Sequence, residues 1–173
     1  MSADVQHAQN VLDQVLAAWN HAGASWNSTG LADVYTEDAM LYGGRPGHAV
    51  GRAAIHAYFA SYDGVILCGE MQMGDCVLRV LGGDCLLAQG MAHFSFTLAQ
   101  GEKTRSSLRA TLVLKQQPDS WRILDHHFST IPVAQPMGND YTTSYKTSST
   151  ARPDMSAARN STGRNARKHS KAP

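Results

Sequence analysis

The stretch "WRILDHHFSTIP", Trp121 to Pro132, places an aspartate, two histidines and a serine within five residues. These are the residue types of general acid–base catalysis, of metal binding and of hydrogen bonding to a substrate oxygen. Read as a strand, the stretch divides them. Side chains alternate across a strand, so Asp125, His127 and Ser129 share one face while His126 and Phe128 share the other. A carboxylate two residues from an imidazole can orient it and raise its basicity, which gives His127 as acid or base and Asp125 as its orienter. Ser129, with Tyr42, would bind a substrate oxygen. On the opposite assignment the pocket belongs to His126, Arg122 and an apolar ladder. A plain polar ladder at a sheet surface or dimer interface explains the same residues without chemistry.

The pattern gives little to a metal. His126 and His127 point to opposite faces, and Asp125 with His127 supplies two ligands where zinc takes three or four. The reading is metal-independent, with no metal and no cofactor. Cys68, Cys76 and Cys85 are odd in number and lack C-x-x-C spacing, so they read as reduced, apolar cysteines rather than a disulfide framework.

The elements that must position these residues follow from periodicity. Val11, Val15, Leu16, Trp19 and Ala22 recur every three or four residues, predicting a helix from about Asp4 to Trp26. Ser28 or Thr29 can cap a short second helix reaching Tyr35. "AMLYGG" reads as a strand entering the glycine-rich loop "GGRPGHAVG", and "RAAIHAYFASY" as a third helix. Four long strands follow, "ILCGEMQMGDCVLRVLGG", "DCLLAQGMAHFSFTLAQG", "EKTRSSLRATLVLKQQPDS" and "WRILDHHFSTIP", with interior glycines in the first that predict a bulge. Gly82-Gly83, Gly101 and Pro118-Asp119 supply the turns. Three helices before an antiparallel sheet make an α+β domain. Two strands carry apolar ladders, Leu86, Ala88, Ala92, Phe94, Phe96 and Leu108, Ala110, Leu112, Leu114. If those ladders pack under the helices, His93 and Arg109 lie outside, where a second subunit covers them; the opposite packing makes Arg109 a substrate contact.

The loop lacks the Gly-Lys-Ser/Thr of a phosphate-binding loop; its Arg45 and His48 lie over a pocket entrance or on an exposed turn. No run of eighteen apolar residues is present, so no membrane span is expected. The N-terminus, acidic and polar where a secretory signal would be basic and then apolar, reads as cytoplasmic. From Lys146 onward there are seven Lys/Arg and one acid, Asp154, which leaves eight Lys/Arg against thirteen acids in residues 1–145. Residues 133–173 read as a disordered basic tail behind a folded domain at 1–132. No aromatic residue is interleaved with the charges from Lys146 on, so nucleic acid is not the expected partner.

Three stretches carry a family resemblance: "LADVYTEDAMLY", "GRAAIHAYF" and "RATLVLKQQPDSWRILDHHFSTIP". Together they resemble the nuclear transport factor 2-like superfamily over about Ala3 to Pro132. The last resembles the SnoaL-like branch that includes the calcium/calmodulin-dependent kinase II association domain and the iota-class carbonic anhydrases. The resemblance implies a cone-shaped, cystatin-like α+β fold with three helices packed on a strongly curved antiparallel sheet. It implies a pocket for a small-molecule ligand, with Trp19, Tyr35, Tyr42 and Tyr58 near the cavity mouth. It also implies a homodimer or higher homo-oligomer. The activities it suggests are isomerase, cyclase or hydratase chemistry, a non-catalytic oligomerisation module, or carbonic anhydrase. Two departures stand out. Ala92 and Leu112 occupy the inner positions where the kinase association domain has arginines. Asp125 and Phe128 replace the first histidine and first serine of the anhydrases' His-His-His-Ser-Ser.

Overall fold

The structure, a computed structural model, describes residues 3–133. The basic tail expected over 133–173 lies, from residue 134 on, outside the described residues. The first helix, α1 (Ala3–Gly23), buries Ala8, Val11, Leu12, Val15, Trp19 and Ala22 along one stripe, as its three- and four-residue spacing requires. It stops three residues earlier than its apolar pattern suggests. Trp26 takes a left-handed backbone, φ 43°, and the chain turns back with Trp26 N donating to Gly23 O at 3.0 Å. A tryptophan with positive φ is strained, so surrounding contacts must hold it there. They do. Its ring meets Phe59, Tyr62 and Phe96 edge-on, and its Nε1 donates to Phe59 O at 3.3 Å.

Helix α2 (Ser28–Asp33) is capped by Asn27, not by Ser28 or Thr29 as expected; the Asn27 side chain accepts from Gly30 N at 3.0 Å. The helix ends before Tyr35, which instead opens β1 (Tyr35–Tyr42). Within the glycine-rich loop lies a two-residue strand, β2 (Ala49–Val50), that periodicity cannot show in so short a segment. Helix α3 (Arg52–Ala60) buries Ile55 and Phe59. Then come β3 (Ile66–Gly82), β4 (Cys85–Leu98), β5 (Lys103–Gln116) and β6 (Trp121–Ser129).

The six strands form one sheet in the order β2-β1-β6-β5-β4-β3. The expectation of an antiparallel sheet holds for every pair except β1 with β6, which run parallel. That exception brings the start of the domain against its end and pairs Leu41 with His126 and Tyr42 with His127. The glycines of β3 do mark a bulge: its register with β4 shifts between Gly74 and Val77, with Asp75 at φ 48°. Gly90 on β4 faces this bulge, where a Cβ would lie 2.6 Å from Gly74 O, so no larger residue fits.

The two apolar ladders face the helices. Leu86, Ala88, Ala92, Phe94, Ala110, Leu112 and Leu114 are buried and join the α1 stripe in one core. Arg109 and His93 therefore lie on the outer face, one of the two packings that the sequence left open.

Candidate active site: a cavity floored by His126 and Tyr35

Between helices and sheet lies a cavity of about 290 Å³. Burial marks its two ends. Trp19, Tyr35, Phe59, Phe94 and His126 are buried and form the floor, while Gly44, Val65 and Ser106 are exposed and mark the mouth. Trp26, Tyr58, Tyr62, Phe96, Leu108 and Phe128 are among the walls. The lining is aromatic and carries no carboxylate.

The floor histidine is His126, not His127, and local strand geometry explains why. The β5–β6 register pairs Leu114 with Ile123 and Val113 with Asp125, leaving Leu124 as an extra residue. The bulge puts Ile123 and His126 on the same, inward side although they are three apart. Beyond it alternation resumes: Leu112 pairs with His126 and Ala110 with Phe128, both inward, while Thr111 pairs with His127 and Arg109 with Ser129, both outward. The pocket face is thus that of His126 and Phe128, and the face of Asp125, His127 and Ser129 is the outer one.

His126 is 1% exposed. Its Nδ1 lies 2.9 Å from the hydroxyl of Tyr35, which is itself fully buried, and the two rings stack with centroids 6.2 Å apart. The tautomer follows from satisfaction. The Tyr35 hydroxyl hydrogen has His126 Nδ1 as its acceptor, so Tyr35 donates and the imidazole proton resides on Nε2. Among the described residues that Nε2 has no partner, and neither has the Trp19 indole Nε1. Trp19 lies close enough to Tyr35 to ease its ionisation slightly but falls outside hydrogen-bond geometry. Two residues of the cavity floor thus each hold a buried N–H donor without an acceptor among the described residues, an arrangement that costs free energy.

Burial sets the protonation states. It lowers the His126 pKa from 6.5 to about 3, helped by the nearby His127, so the imidazole is neutral throughout the physiological range. Burial likewise pushes the Tyr35 hydroxyl far above the usual tyrosine range, with Tyr58 adding to the effect. Tyr58 is also raised, mainly by burial and by Tyr62; its hydroxyl accepts from Gly44 N at 3.1 Å. The adjacent Gly43 permits this close approach, since a Cβ there would lie 2.6 Å from the Tyr58 hydroxyl.

The structure therefore separates the residues singled out in the sequence. Trp19, Tyr35 and Tyr58 line the cavity, but Trp19 and Tyr35 lie at its buried floor and not near its mouth as expected. Asp125, His127, Ser129, Arg109 and Tyr42 do not. Tyr42 is 45% exposed and packs its ring against His48 and His127. Arg109 donates to Ser129 Oγ at 3.3 Å across β5 and β6. Asp125 is half-buried; that burial raises its pKa, partly opposed by His127 and His48. Missed from the sequence are Trp26, Tyr62 and Phe128; the pocket placement of His126 is the opposite assignment that the sequence left open, without Arg122 in the lining. Among the described residues no cluster of three or more His, Cys, Asp or Glu side chains is placed to hold a metal ion. No described helix is long and apolar enough to cross a membrane.

An aromatic cavity between three helices and a curled, mostly antiparallel sheet defines a pocketed α+β domain. Its sequence matches the SnoaL-like domain model over residues 12–134, and the chain belongs to that family. Among solved structures it is similar to a Xanthomonas campestris protein bearing the name of a calcium/calmodulin-dependent protein kinase II association domain (TM-score 0.64, 25% identity, 71% of this chain and 87% of that one). It is similar also to a Streptomyces avermitilis protein described as a dehydratase of the nuclear transport factor 2-like family (TM-score 0.62, 15% identity, 73% and 99%). A ketosteroid isomerase-like protein of Erwinia carotovora atroseptica is a further neighbour (TM-score 0.57, 18% identity, 71% and 95%). The fold is the cystatin-like one of this superfamily. Comparison with curated proteins finds no match.

Proposed function

We propose that the domain binds a small, largely aromatic molecule in this cavity through a carbonyl or similar acceptor oxygen. The observation that carries the reading is the pair of buried N–H groups, His126 Nε2 and Trp19 Nε1, which belong to residues of the cavity floor and have no acceptor among the described residues. Tyr35 holds His126 in the donating tautomer. At about 290 Å³ the cavity stands at the low end of the ~300–1,000 Å³ range of small-molecule sites. One or two rings fill it.

The same geometry suggests what the site does to a bound ketone. A neutral imidazole N–H polarises a carbonyl without giving up its proton, and a buried one does so in a low dielectric. That is the electrophilic half of an isomerisation, cyclisation or hydration. The base half is absent from the lining: there is no carboxylate, His126 is held neutral with its free nitrogen protonated, and both Tyr35 and Tyr58 are raised. Binding is the part of the function that the residues support directly; turnover needs a proton acceptor brought by the ligand or by water.

Tryptophan fluorescence tests the binding reading, because Trp19 and Trp26 both line the cavity. Titration with 2-acetylnaphthalene and with 2-ethylnaphthalene compares ligands of similar shape with and without the carbonyl. The ketone binds more tightly, and His126→Phe removes the difference. Equal affinity of the two in the unaltered protein would refute the role of His126.

A second reading concerns the outer face. Arg109–Ser129, His93–Ser107 and Gln89–Thr111 form a cross-strand polar ladder, bordered by exposed Met40, Tyr42 and Val77. That mixture favours a homodimer or higher homo-oligomer built on this sheet face, with Asp125 and His127 at the contact. Light scattering at micromolar concentration checks it; a monomer there removes the assembly role. Carbonic anhydrase chemistry by Asp125, His127 and Ser129 remains the catalytic rival for this face, and a CO2 hydration assay of His127→Ala against the unaltered protein decides it.

A further inference from the structure

Beside the mouth of the cavity, outside its lining, lies a cation with unused hydrogen-bonding capacity. Arg45 lies in the loop that follows β1, directly after Gly44, and Gly44 is itself part of the rim. Its guanidinium sits 4.3 Å over the centre of the Tyr62 ring, another lining residue, and Nη2 donates to Ser61 O at 3.1 Å. These contacts fix the group against Tyr62, a lining residue. They consume one of its five N–H donors. No carboxylate pairs with it among the described residues: the ion pairs there are Arg52–Glu37, Lys115–Asp84 and Arg122–Asp119. Asp63, two residues beyond the Ser61 that Arg45 bonds, accepts from Ser28 Oγ at 3.3 Å instead.

Floor and mouth thus offer different chemistry. The floor residues hold neutral, unpartnered N–H donors, suited to an uncharged acceptor. The mouth presents a fixed positive charge and the stacking face of a tyrosine. Between them the walls are aromatic. Resting on the reading of the cavity given above, we propose that the ligand is a carboxylic acid in its ionised form, whose aromatic body fills the cavity, whose carbonyl meets His126, and whose carboxylate meets Arg45 at the rim. A planar guanidinium suits this task, because it can bind both carboxylate oxygens at once while stacked on a ring. The formal net charge of the chain is only +1, so the preference must come from Arg45 itself and not from overall charge.

Two keto acids of different length are suitable probes, 4-acetylbenzoate and 6-acetyl-2-naphthoate, each beside its carboxamide, which keeps shape and carbonyl but lacks charge. Tryptophan quenching gives the four affinities for the unaltered protein and for Arg45→Gln, an exposed substitution that leaves the core untouched. For at least one length the carboxylate binds on the order of tenfold more tightly than its amide. In Arg45→Gln that ratio falls to near one, and in the unaltered protein it shrinks as salt is raised. Acid and amide binding alike in the unaltered protein overturns the proposal while leaving the His126 reading intact. So does a preference that survives Arg45→Gln. If none of the four probes binds, the cavity reading fails, and this proposal with it.

Discussion

His126 and His127 are adjacent in sequence and occupy opposite worlds in the fold. The first is 1% exposed, bonded to a buried tyrosine and held neutral by desolvation. The second is exposed on the outer sheet face, against the ring of Tyr42 and level with Thr111. One strand thus presents two imidazoles to two environments. The comparison teaches that residue type fixes what chemistry is available, whereas strand register fixes which chemistry is used. On the inner face the imidazole is an N–H donor with an unused proton. On the outer face the imidazole is exposed and packs against the Tyr42 ring.

Ligand affinity separates the two histidines most. His126→Phe removes the floor donor and is expected to weaken binding of a ketone probe on the order of ten- to a hundredfold, as loss of a buried hydrogen bond does. His127→Phe changes the same affinity by less than about twofold, since it does not touch the cavity. The reverse ranking, read by the fluorescence titration, would place the working pocket on the outer face.

Stability gives the next largest effect. Tyr35→Phe leaves His126 Nδ1 buried without a donor and should cost about 1–3 kcal/mol in urea unfolding. The double change Tyr35→Phe with His126→Phe removes both partners and should recover most of that loss, since replacing both members of a buried pair is nearly neutral. Additive losses would show that the two groups are not coupled.

The third effect is pH dependence. The folded-state pKa of His126 is about 3 against 6.5 unfolded. Above pH 6.5 both states are neutral and this stability is fully present. Below it the unfolded chain takes up a proton that the folded chain refuses, so stability falls by about 1.4 kcal/mol per pH unit until the pH nears 3. Acid unfolding of His126→Phe should lack this component between pH 6 and 4. An identical pH slope in both proteins would mean that His126 is solvated in the fold.

Smallest are the outer-face changes. His127→Ala and Asp125→Asn should alter monomer stability by no more than about 0.5 kcal/mol. The aspartate change is neutral to slightly stabilising, because burial already disfavours its charge. On the assembly reading proposed above, their effect falls on self-association, read by light scattering at micromolar concentration.

Much of this was legible in the residues, and the part that was not has a definite cause. The α1 stripe, the four long strands and the bulge at Gly74 follow from spacing and from glycine placement. So does the separation of His126 from His127, which strand alternation alone requires. Which of the two points inward was not legible. Counting by twos from Ile123, an obvious core residue, carries Asp125 and His127 into the core. The extra residue at Leu124 reverses that count, and nothing in "RILDHH" marks the bulge. Partnership was hidden too. Tyr35 and His126 are 91 residues apart and meet because β1 and β6 run parallel, a pairing that no local pattern announces. Trp26 was hidden by its left-handed backbone, which ends α1 early and swings the ring into the cavity wall.

The central claim is that His126, in its neutral Nε2–H form, is the group that meets the ligand. Long-range ¹H–¹⁵N correlation of the imidazole nitrogens reads this in one experiment, with His126 and His127 assigned by substitution. The account predicts a His126 ring with a protonated Nε2 and an unprotonated Nδ1 that does not titrate between pH 5 and 8. It predicts that a saturating keto ligand shifts His126 Nε2 and leaves the His127 nitrogens in place. A His126 that titrates near its ordinary value, or a ligand that moves His127 and not His126, would contradict it.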